Sequence, residues 1–245
     1  MTEVYVHGVA PATEREAIEA AGARAVVHGE LAAITSGAQP EGTRAAELMR
    51  RHWVVLEEVA RRATVLPVRF GTAMATEEAV AGEFLEPRHD DLAAQLAVFD
   101  GKVQLTVKGT YDEEALLRSI VSASPQVAAL RERVRATPGA AGHFHRIQLG
   151  ELVAAEVEQT RARDAAWVLE RLRGLAVVTS SEPAGGTDGA VNAAFLVERE
   201  RIDEFARAVD AAADELAGRV ELRLLGPMPP YSFASEQIDG APAWA

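Results

Sequence analysis

The stretch Arg24-Ala-Val-Val-His-Gly-Glu-Leu-Ala-Ala-Ile-Thr-Ser36 decides the fold. Its two apolar runs, 24–28 and 31–36, have the composition of short strands. They are separated by Gly29-Glu30, and a two-residue connection containing glycine predicts a β-hairpin. The question is then which elements precede and follow this hairpin.

The flanking sequence supplies one strand and one helix on each side of the hairpin. A strand pattern over 3–9 precedes a helix over 13–21, which begins with a Ser/Thr-type capping box. A long amphipathic helix over 43–63 follows the hairpin, and a strand over 64–70 follows the helix. The order β-α-β-β-α-β is the ferredoxin-like arrangement, in which one antiparallel sheet carries two helices on one face.

The second half of the chain repeats this order of elements with additional helices. Strands are predicted over 102–109, 175–180, 191–198 and 220–225, and helices over 113–122, 125–136, 147–173 and 201–217. The sequence therefore predicts an α+β fold of two tandem ferredoxin-like (βαββαβ) domains, with helical insertions and a helical connector.

The same patterns predict where the domains begin and end. We expect an N-terminal ferredoxin-like domain over 1–75, a helical connector over 76–100 and a C-terminal α+β domain over 101–233. The small and polar residues of 234–245 predict a loosely held tail.

Composition excludes several classes of protein. The 245 residues carry a formal net charge of -12, which argues against a nucleic-acid partner because phosphate binding needs a clustered basic surface. Cysteine is absent, so disulfides and thiolate chemistry are excluded. The first residues lack a secretory signal pattern, and no apolar run is long enough to span a membrane, so we expect a cytoplasmic protein.

No pattern in the sequence predicts a catalytic, metal or cofactor site. His143 and His145 would share one face of an extended chain, but no carboxylate lies close to them in sequence to complete a metal site. The glycine-rich run 184–189 joins two strands and lacks the phosphate-loop and dinucleotide patterns. Adjacent acidic pairs are typical of solvated helix faces. We therefore expect a binding or assembly protein that is not an enzyme and needs no cofactor or metal.

Two tryptophans lie on apolar stripes at helical spacing. Trp53 belongs to the helix over 43–63, and Trp167 belongs to the helix over 147–173. The spacing predicts that both side chains are core residues.

Two segments combine proline with aromatic or charged residues. They are Leu66-Pro-Val-Arg-Phe-Gly-Thr72 and Gly226-Pro-Met-Pro-Pro-Tyr-Ser-Phe233, and the prolines of the second predict an extended chain. Such segments either recruit a partner or dock domains within one chain. The candidate residues for partner binding or domain docking are Leu66, Pro67, Arg69, Phe70, Pro229, Pro230, Tyr231 and Phe233. We expect Arg69 and the Tyr231/Phe233 pair to be neighbours or to share one functional surface.

These segments and four further blocks give the sequence its family resemblance. The further blocks are Val4-Tyr-Val-His-Gly-Val9, Val103-Gln-Leu-Thr-Val-Lys108 and Arg146-Ile-Gln-Leu-Gly-Glu151, together with the helix block His52-Trp-Val-Val-Leu-Glu-Glu-Val59. With them, the chain resembles the gas vesicle accessory proteins of the GvpL/GvpF family over nearly its whole length. Gln104 departs from the family pattern, because the family favours tryptophan at this position. We expect the departure to change the local packing and not the family assignment.

The resemblance implies a non-enzymatic, minor component needed to form gas vesicles. It implies contacts with the small hydrophobic shell protein and with other accessory proteins, a fold of two α+β domains, and association with the gas vesicle. The alternative function is a tandem ferredoxin-like regulatory module that binds a small ligand, and an enzyme ranks third. A neighbouring gene for a short hydrophobic shell protein would favour the first function, and thermal stabilisation by a metabolite pool would favour the second.

Overall fold

The computed structural model describes residues 3–37 and 43–238 and contains helices packed with two antiparallel sheets. This confirms a mixed α/β fold. The chain forms two compact units. The first comprises the described parts of Met1–Leu105, Ala194–Ile202 and Leu225–Ala245, and the second comprises Thr106–Ala193 and Asp203–Leu224.

The first sheet is built around the predicted hairpin. Its strands are β1 (Val4–Pro11), β2 (Arg24–His28), β3 (Leu31–Gly37), β4 (Leu66–Pro67) and the short β5 (Ala73–Met74). The order is β2-β3-β1-β4, with β5 also paired to β1. All pairings are antiparallel, and Val9 lies opposite Ala33 on one side and Leu66 on the other. The predicted strand over 64–70 is thus much shorter than expected.

Four α-helices of the first unit pack around this sheet. They are α1 (Arg15–Ala20), α2 (Ala45–Ala60), α3 (Glu77–Ala79) and α4 (His89–Phe99), with a π-helical turn Val80–Leu85 and a 3-10 turn Glu86–Arg88 between the last two. The break at Pro87 agrees with the sequence. Phe84, Leu85 and Leu92 are buried in the same core cluster as Val6 and Leu31. The segment predicted as a connector therefore supplies part of the core of the first unit.

Gly8 in β1 marks the closest approach within this unit. A Cβ atom at Gly8 would lie 2.7 Å from the carbonyl oxygen of Leu66 and 2.8 Å from Cδ2 of Leu56. The absence of a side chain therefore allows β4 and α2 to pack directly on β1. The register of β1 against β3 also shifts between Val6 and Gly8, so His7 sits at a bulge.

The second sheet has the strand order β7-β8-β6-β9. Its strands are β6 (Lys102–Tyr111), β7 (Val178–Ser181), β8 (Gly189–Glu198) and β9 (Val220–Met228). The accompanying helices are α5 (Glu113–Ala123), α6 (Pro125–Ala136), α7 (His143–Leu172) and α8 (Ile202–Leu216). Local sequence explains the helix starts: the Asp112 side chain accepts a hydrogen bond from the Ala115 N–H, and Pro125 occupies the first turn of α6.

The end of the described chain differs from the sequence-based expectation. The extended segment predicted over 225–233 is a strand only to Met228, and a further helix, α9 (Tyr231–Ile238), begins two residues later. Pro229 and Pro230 directly precede this helix, where a proline is well tolerated because the first-turn N–H groups have no helical partner. The loose tail predicted over 234–245 begins within α9 at 234–238, and its remaining residues, 239–245, lie outside the described residues.

The prediction that both tryptophans are core residues is wrong. Trp167 is half-buried, and the Arg171 guanidinium carbon lies 4.3 Å from the centre of its ring. Trp53 is exposed on α2. The buried face of α2 consists instead of His52, Leu56, Val59 and Ala60.

Candidate functional site

An exposed apolar surface lies on α2 and the start of α9. Met49, Trp53 and Val54 are 45%, 37% and 55% exposed. The Trp53 ring packs on Tyr231, with centroids 4.3 Å apart and planes tilted by 43°. We call Met49, Trp53, Val54 and Tyr231 the Trp53 patch. Large apolar side chains that remain exposed side by side are typical of interaction surfaces.

The hydroxyl group of Tyr231 has an unusual environment. Its oxygen is buried, yet no hydrogen-bond partner lies within reach among residues 3–37 and 43–238. Burial, together with the negative charge of nearby Glu57, raises the pKa of Tyr231 and keeps the phenol neutral. A buried hydroxyl without a partner destabilises a fold by about 1–3 kcal/mol. Its retention next to an exposed tryptophan is therefore informative about function.

A cluster of rings, of which the two histidines are buried, lies where α2 meets β1. Nδ1 of His7 is 3.3 Å from Nδ1 of His52, so one ring donates a hydrogen bond to the other, and Nε2 of His7 is 3.0 Å from the Ser36 hydroxyl. Tyr5 and Phe70 pack around the pair, with Phe70 5.7 Å from His52 between ring centroids. We call Tyr5, His7, His52 and Phe70 the histidine cluster.

Burial governs the ionisation of the histidine cluster. Burial, reinforced by the positive charges of His52 and Arg51, lowers the pKa of His7 to about 4. Burial also lowers the pKa of His52 to about 4. The facing Nδ1 atoms agree with this, because two imidazolium rings at that distance would repel each other. Both rings are therefore neutral at physiological pH.

The first candidate segment divides into buried and exposed residues. Leu66 and Pro67 are buried in β4, and Phe70 is half-buried in the histidine cluster. The N–H of Gly71 donates to the Tyr5 hydroxyl at 2.7 Å, and a φ of 94° at Gly71 explains why the turn needs glycine. Arg69 is exposed, and within the described part of the chain its side chain makes no ion pair or ring contact.

The second candidate segment packs on the first unit. Pro229 and Pro230 are buried, and Phe233 packs against the core cluster that contains Leu66. Tyr231 packs against the neighbouring cluster that includes Leu56 and Val59. The structure thus brings both segments into one unit, whereas the sequence predicts the second segment as part of the C-terminal domain. It does not show a direct contact between Arg69 and Tyr231.

Gln104 in β6 holds the start of α9. Its side-chain oxygen accepts a hydrogen bond from the Ser232 N–H at 2.8 Å, and its amide nitrogen donates to the Ser232 hydroxyl at 3.1 Å. The same nitrogen lies 3.7 Å from the Met228 sulfur. The residue that departs from the family pattern is therefore a polar clamp, which positions Tyr231 next to Trp53.

Replacing Gln104 with alanine should loosen α9. Because both ends of a buried amide lose their bonds to Ser232, we expect the free energy of unfolding to fall by about 1–3 kcal/mol. Urea unfolding followed by tryptophan fluorescence measures the loss, and a shifted native emission would report the disturbed Trp53–Tyr231 contact. Gln148→Ala, on an exposed helix position, is the matched control. Equal stability of the two variants would contradict the clamp.

The structure corrects the expectation for the histidine pair of the second unit. His143 and His145 lie in the first turn of α7, where residues two apart point to different sides, so they do not share a face. Among the described residues, no group of three or more histidine, aspartate or glutamate side chains is placed to hold a metal ion. No helix within 3–37 and 43–238 has both the length and the apolar character needed to cross a bilayer.

Sequence reasoning missed three features of this site. The contact between His7 and His52 has one sequence signal, because His52 lies at i, i+4 spacing from the apolar Leu56 of α2. The exposure of Trp53 and the clamp at Gln104 depend on contacts with α9, more than a hundred residues away in sequence, and had no local signal.

The fold is that of solved gas vesicle proteins. The chain superposes on gas vesicle protein GvpF from an Anabaena species with a TM-score of 0.78, at 20% identity and covering 96% of this chain and 98% of that one. For GvpF from Microcystis aeruginosa the TM-score is 0.73, at 22% identity and covering 95% and 98%. These likenesses define the class of fold.

Sequence comparison identifies the family. The model of the family "Gas vesicle synthesis protein GvpL/GvpF" matches residues 3–235. The chain is 35% identical over 238 residues to gas vesicle protein F of a Streptomyces species, covering 94% of this chain and 98% of the relative. It is 28% identical to gas vesicle protein L of the same strain, covering 86% and 82%. The chain therefore belongs to the GvpL/GvpF family of gas vesicle accessory proteins.

Proposed function

We propose that this protein is a non-enzymatic assembly factor that binds the small hydrophobic gas vesicle shell protein through the Trp53 patch. The observation that carries the proposal is the exposed Trp53 ring packed on Tyr231, on a helix whose Met49 and Val54 side chains are also exposed. Family membership supplies the gas vesicle context.

The chemistry of the patch suits an apolar protein partner. Tryptophan and tyrosine bury large areas at little entropic cost and dominate the energetics of interfaces. The net charge of -12 favours keeping a complex with a hydrophobic partner dispersed in water.

The candidate residues divide into two roles under this proposal. Leu66, Pro67, Pro229, Pro230 and Phe233 dock the two segments within the first unit. Arg69, Phe70 and Tyr231 contribute to the surface offered to the partner, with Arg69 able to reach a carboxylate or carbonyl because it is exposed.

Three finer features belong to the same proposal. The equal strand orders of the two sheets, β2-β3-β1-β4 and β7-β8-β6-β9, support a tandem ferredoxin-like arrangement. We place the protein in the cytoplasm, associated with the gas vesicle. Other gas vesicle accessory proteins are the remaining partners.

Removing the aromatic anchor should abolish most shell-protein binding. Trp53→Ala should weaken the complex by about 30-fold or more, the size typical of a central aromatic residue, while the exposed position limits the loss of stability. Tyr231→Phe should leave stability unchanged or slightly raised, because it removes an unpaired hydroxyl and keeps the ring that packs on Trp53. Co-purification with the shell protein, followed by titration, measures the binding, and urea unfolding measures the stability.

Val177→Ala is the matched control, because Val177 is an exposed apolar residue of the second unit. The pair Arg69→Ala and Tyr231→Ala, with the double variant, measures whether the two segments share one surface. Additive effects on both stability and binding would show that the segments are independent. Shell-protein binding by Trp53→Ala at the level of Val177→Ala would refute the proposed surface.

A further inference from the structure

The hairpin of α6 and α7 has almost no core of its own. Val127 near the start of α6 and Thr160 in the middle of α7 are buried, and between them Gly142 is the one buried residue. Long helices normally bury an apolar stripe, so this length of hairpin offers unused contact surface on both helices. A groove of about 620 Å³ between the helices is lined by residues that include Leu130, Arg133 and Leu152.

The end of this hairpin carries exposed apolar side chains in a defined geometry. Phe144 is 65% exposed and Ile147, one turn further along α7, is 47% exposed. Arg146 donates a hydrogen bond to the Gly139 carbonyl at 3.0 Å, which ties the turn to the helix. A Cβ at Gly142 would collide with the backbone of Thr137, so the turn conformation requires glycine. We call residues 131–147 the hairpin tip.

The charge of the hairpin tip is opposite to that of the chain. The tip contains four arginines and one glutamate, in a protein whose net charge is -12. The arginines are Arg131, Arg133, Arg135 and Arg146, and all four are exposed. A basic surface with exposed apolar side chains fits an acidic surface that also carries apolar groups.

The first unit contains an acidic surface of this kind. Residues 77–100 carry seven carboxylates against one arginine, and the carboxylates are all exposed. They are Glu77, Glu78, Glu83, Glu86, Asp90, Asp91 and Asp100. Among them, Glu77 pairs with Arg24 and Asp90 with His89. Val98 adds an exposed apolar side chain. We call residues 77–100 the acidic segment.

From this complementarity we infer that the hairpin tip of one copy docks on the acidic segment of a second copy. The occupant is a second copy because the chain itself provides the acidic, apolar-bearing surface that the tip fits. The two patches are different, so the contact is head-to-tail, and a pair of copies retains one free tip on one copy and one free acidic segment on the other. No residue of the Trp53 patch takes part, so the inference is independent of shell-protein binding.

Self-association of the full-length protein tests the inference directly. We expect sedimentation equilibrium at about 50 mM salt to give an average mass that rises with concentration above the 26.1 kDa of one chain. At about 1 M salt, where exposed charges are screened within about 3 Å, the mass should fall back toward that of one chain. A mass of one chain at every concentration and both salt levels would overturn the inference.

Charge reversal identifies the two surfaces. The first double variant, Arg131→Glu with Arg133→Glu, makes the hairpin tip acidic. The second, Glu83→Arg with Glu86→Arg, places positive charges in the acidic segment and weakens its net negative charge. Each double variant alone should associate much more weakly than the native protein, because each has lost one of the two native patches. An equimolar mixture should form dimers, because the native tip of one variant can dock on the native acidic segment of the other. A mixture that stays monomeric, or a single variant that associates as the native protein does, would overturn the inference.

The apolar part of the contact has its own test. Phe144→Ser leaves every charge in place and should raise the dissociation constant of self-association about tenfold or more. Leu117→Ser, an exposed leucine of α5 outside the tip, is the control. Thermal unfolding by circular dichroism verifies that each variant is folded. Association of Phe144→Ser equal to that of Leu117→Ser would overturn the assignment of the tip.

Discussion

Acidification from about pH 7.5 to about pH 5 should lower the free energy of unfolding by about 2 kcal/mol for each of His7 and His52. The reason is that both imidazoles are buried as neutral rings, and burial lowers the pKa of each to about 4. An unfolded histidine titrates near 6.5, so protonation favours the unfolded chain below that pH.

The direction follows from where each state binds protons. Above about pH 6.5 both states are neutral and the histidine cluster is fully compatible with the fold. Between about pH 6.5 and pH 4 the unfolded chain takes up protons that the folded protein excludes, so stability falls as the pH falls. Below about pH 4 the folded protein also takes up protons, and the loss levels off.

Urea unfolding at a series of pH values measures this loss. His52→Gln removes one titrating ring and keeps a polar side chain next to His7, so the pH dependence of this variant should be shallower by about half. His143→Gln, at an exposed position, should retain the dependence of the native protein. If the two variants have the same pH profile, the histidine cluster is not the cause.

Asp164→Ala should destabilise the protein by about 3–5 kcal/mol. Asp164 is buried on α7, and its Oδ2 atom accepts hydrogen bonds from the Tyr111 hydroxyl at 2.6 Å and from Arg219 at 2.5 Å. Burial and the hydrogen bond to Asp164 raise the pKa of Tyr111, so the phenol remains a donor. Without the carboxylate, a buried phenol and a largely covered guanidinium lose their shared partner.

Matched variants separate this effect from the loss of a charge on α7. Glu158 lies on the same helix and pairs with Arg161 on the surface, so Glu158→Ala should change stability by less than about 1 kcal/mol. Tyr111→Phe should have an intermediate effect, because it removes one of the two donors. Equal unfolding free energies for Asp164→Ala and Glu158→Ala would contradict the role of the buried carboxylate.

Local patterns in the sequence predict most of the architecture. The connection Gly29-Glu30 predicted the β2–β3 hairpin, and Pro125 and Asp112 marked the starts of α6 and α5. These succeed because turn geometry and helix capping depend on a few adjacent residues.

Features that depend on tertiary contacts could not be predicted in this way. The apolar stripe predicted for α2 includes Trp53, whereas the buried face of the helix contains His52 and Leu56. The two stripes are adjacent on the helix, and only packing against the sheet determines which of them is buried. Prolines predicted an extended tail, whereas α9 begins directly after them and is held by Gln104. The carboxylate of Asp164 is held on α7 by Tyr111 and Arg219, and both partners are more than fifty residues away in sequence.

Gly8 has a consequence for how this protein tolerates sequence change. The Leu66 carbonyl oxygen and the Leu56 side chain lie so close to Gly8 that no Cβ atom fits between them and its Cα. Leu56 is a buried residue of α2, the helix that carries the exposed Trp53. Any side chain at this position acts as a wedge under that helix and raises or tilts the aromatic anchor relative to Tyr231. A deep mutational scan that scores function would therefore find that Gly8 tolerates no substitution, even in variants stabilised elsewhere. Extra stability compensates for the strain but does not restore the position of Trp53 relative to Tyr231.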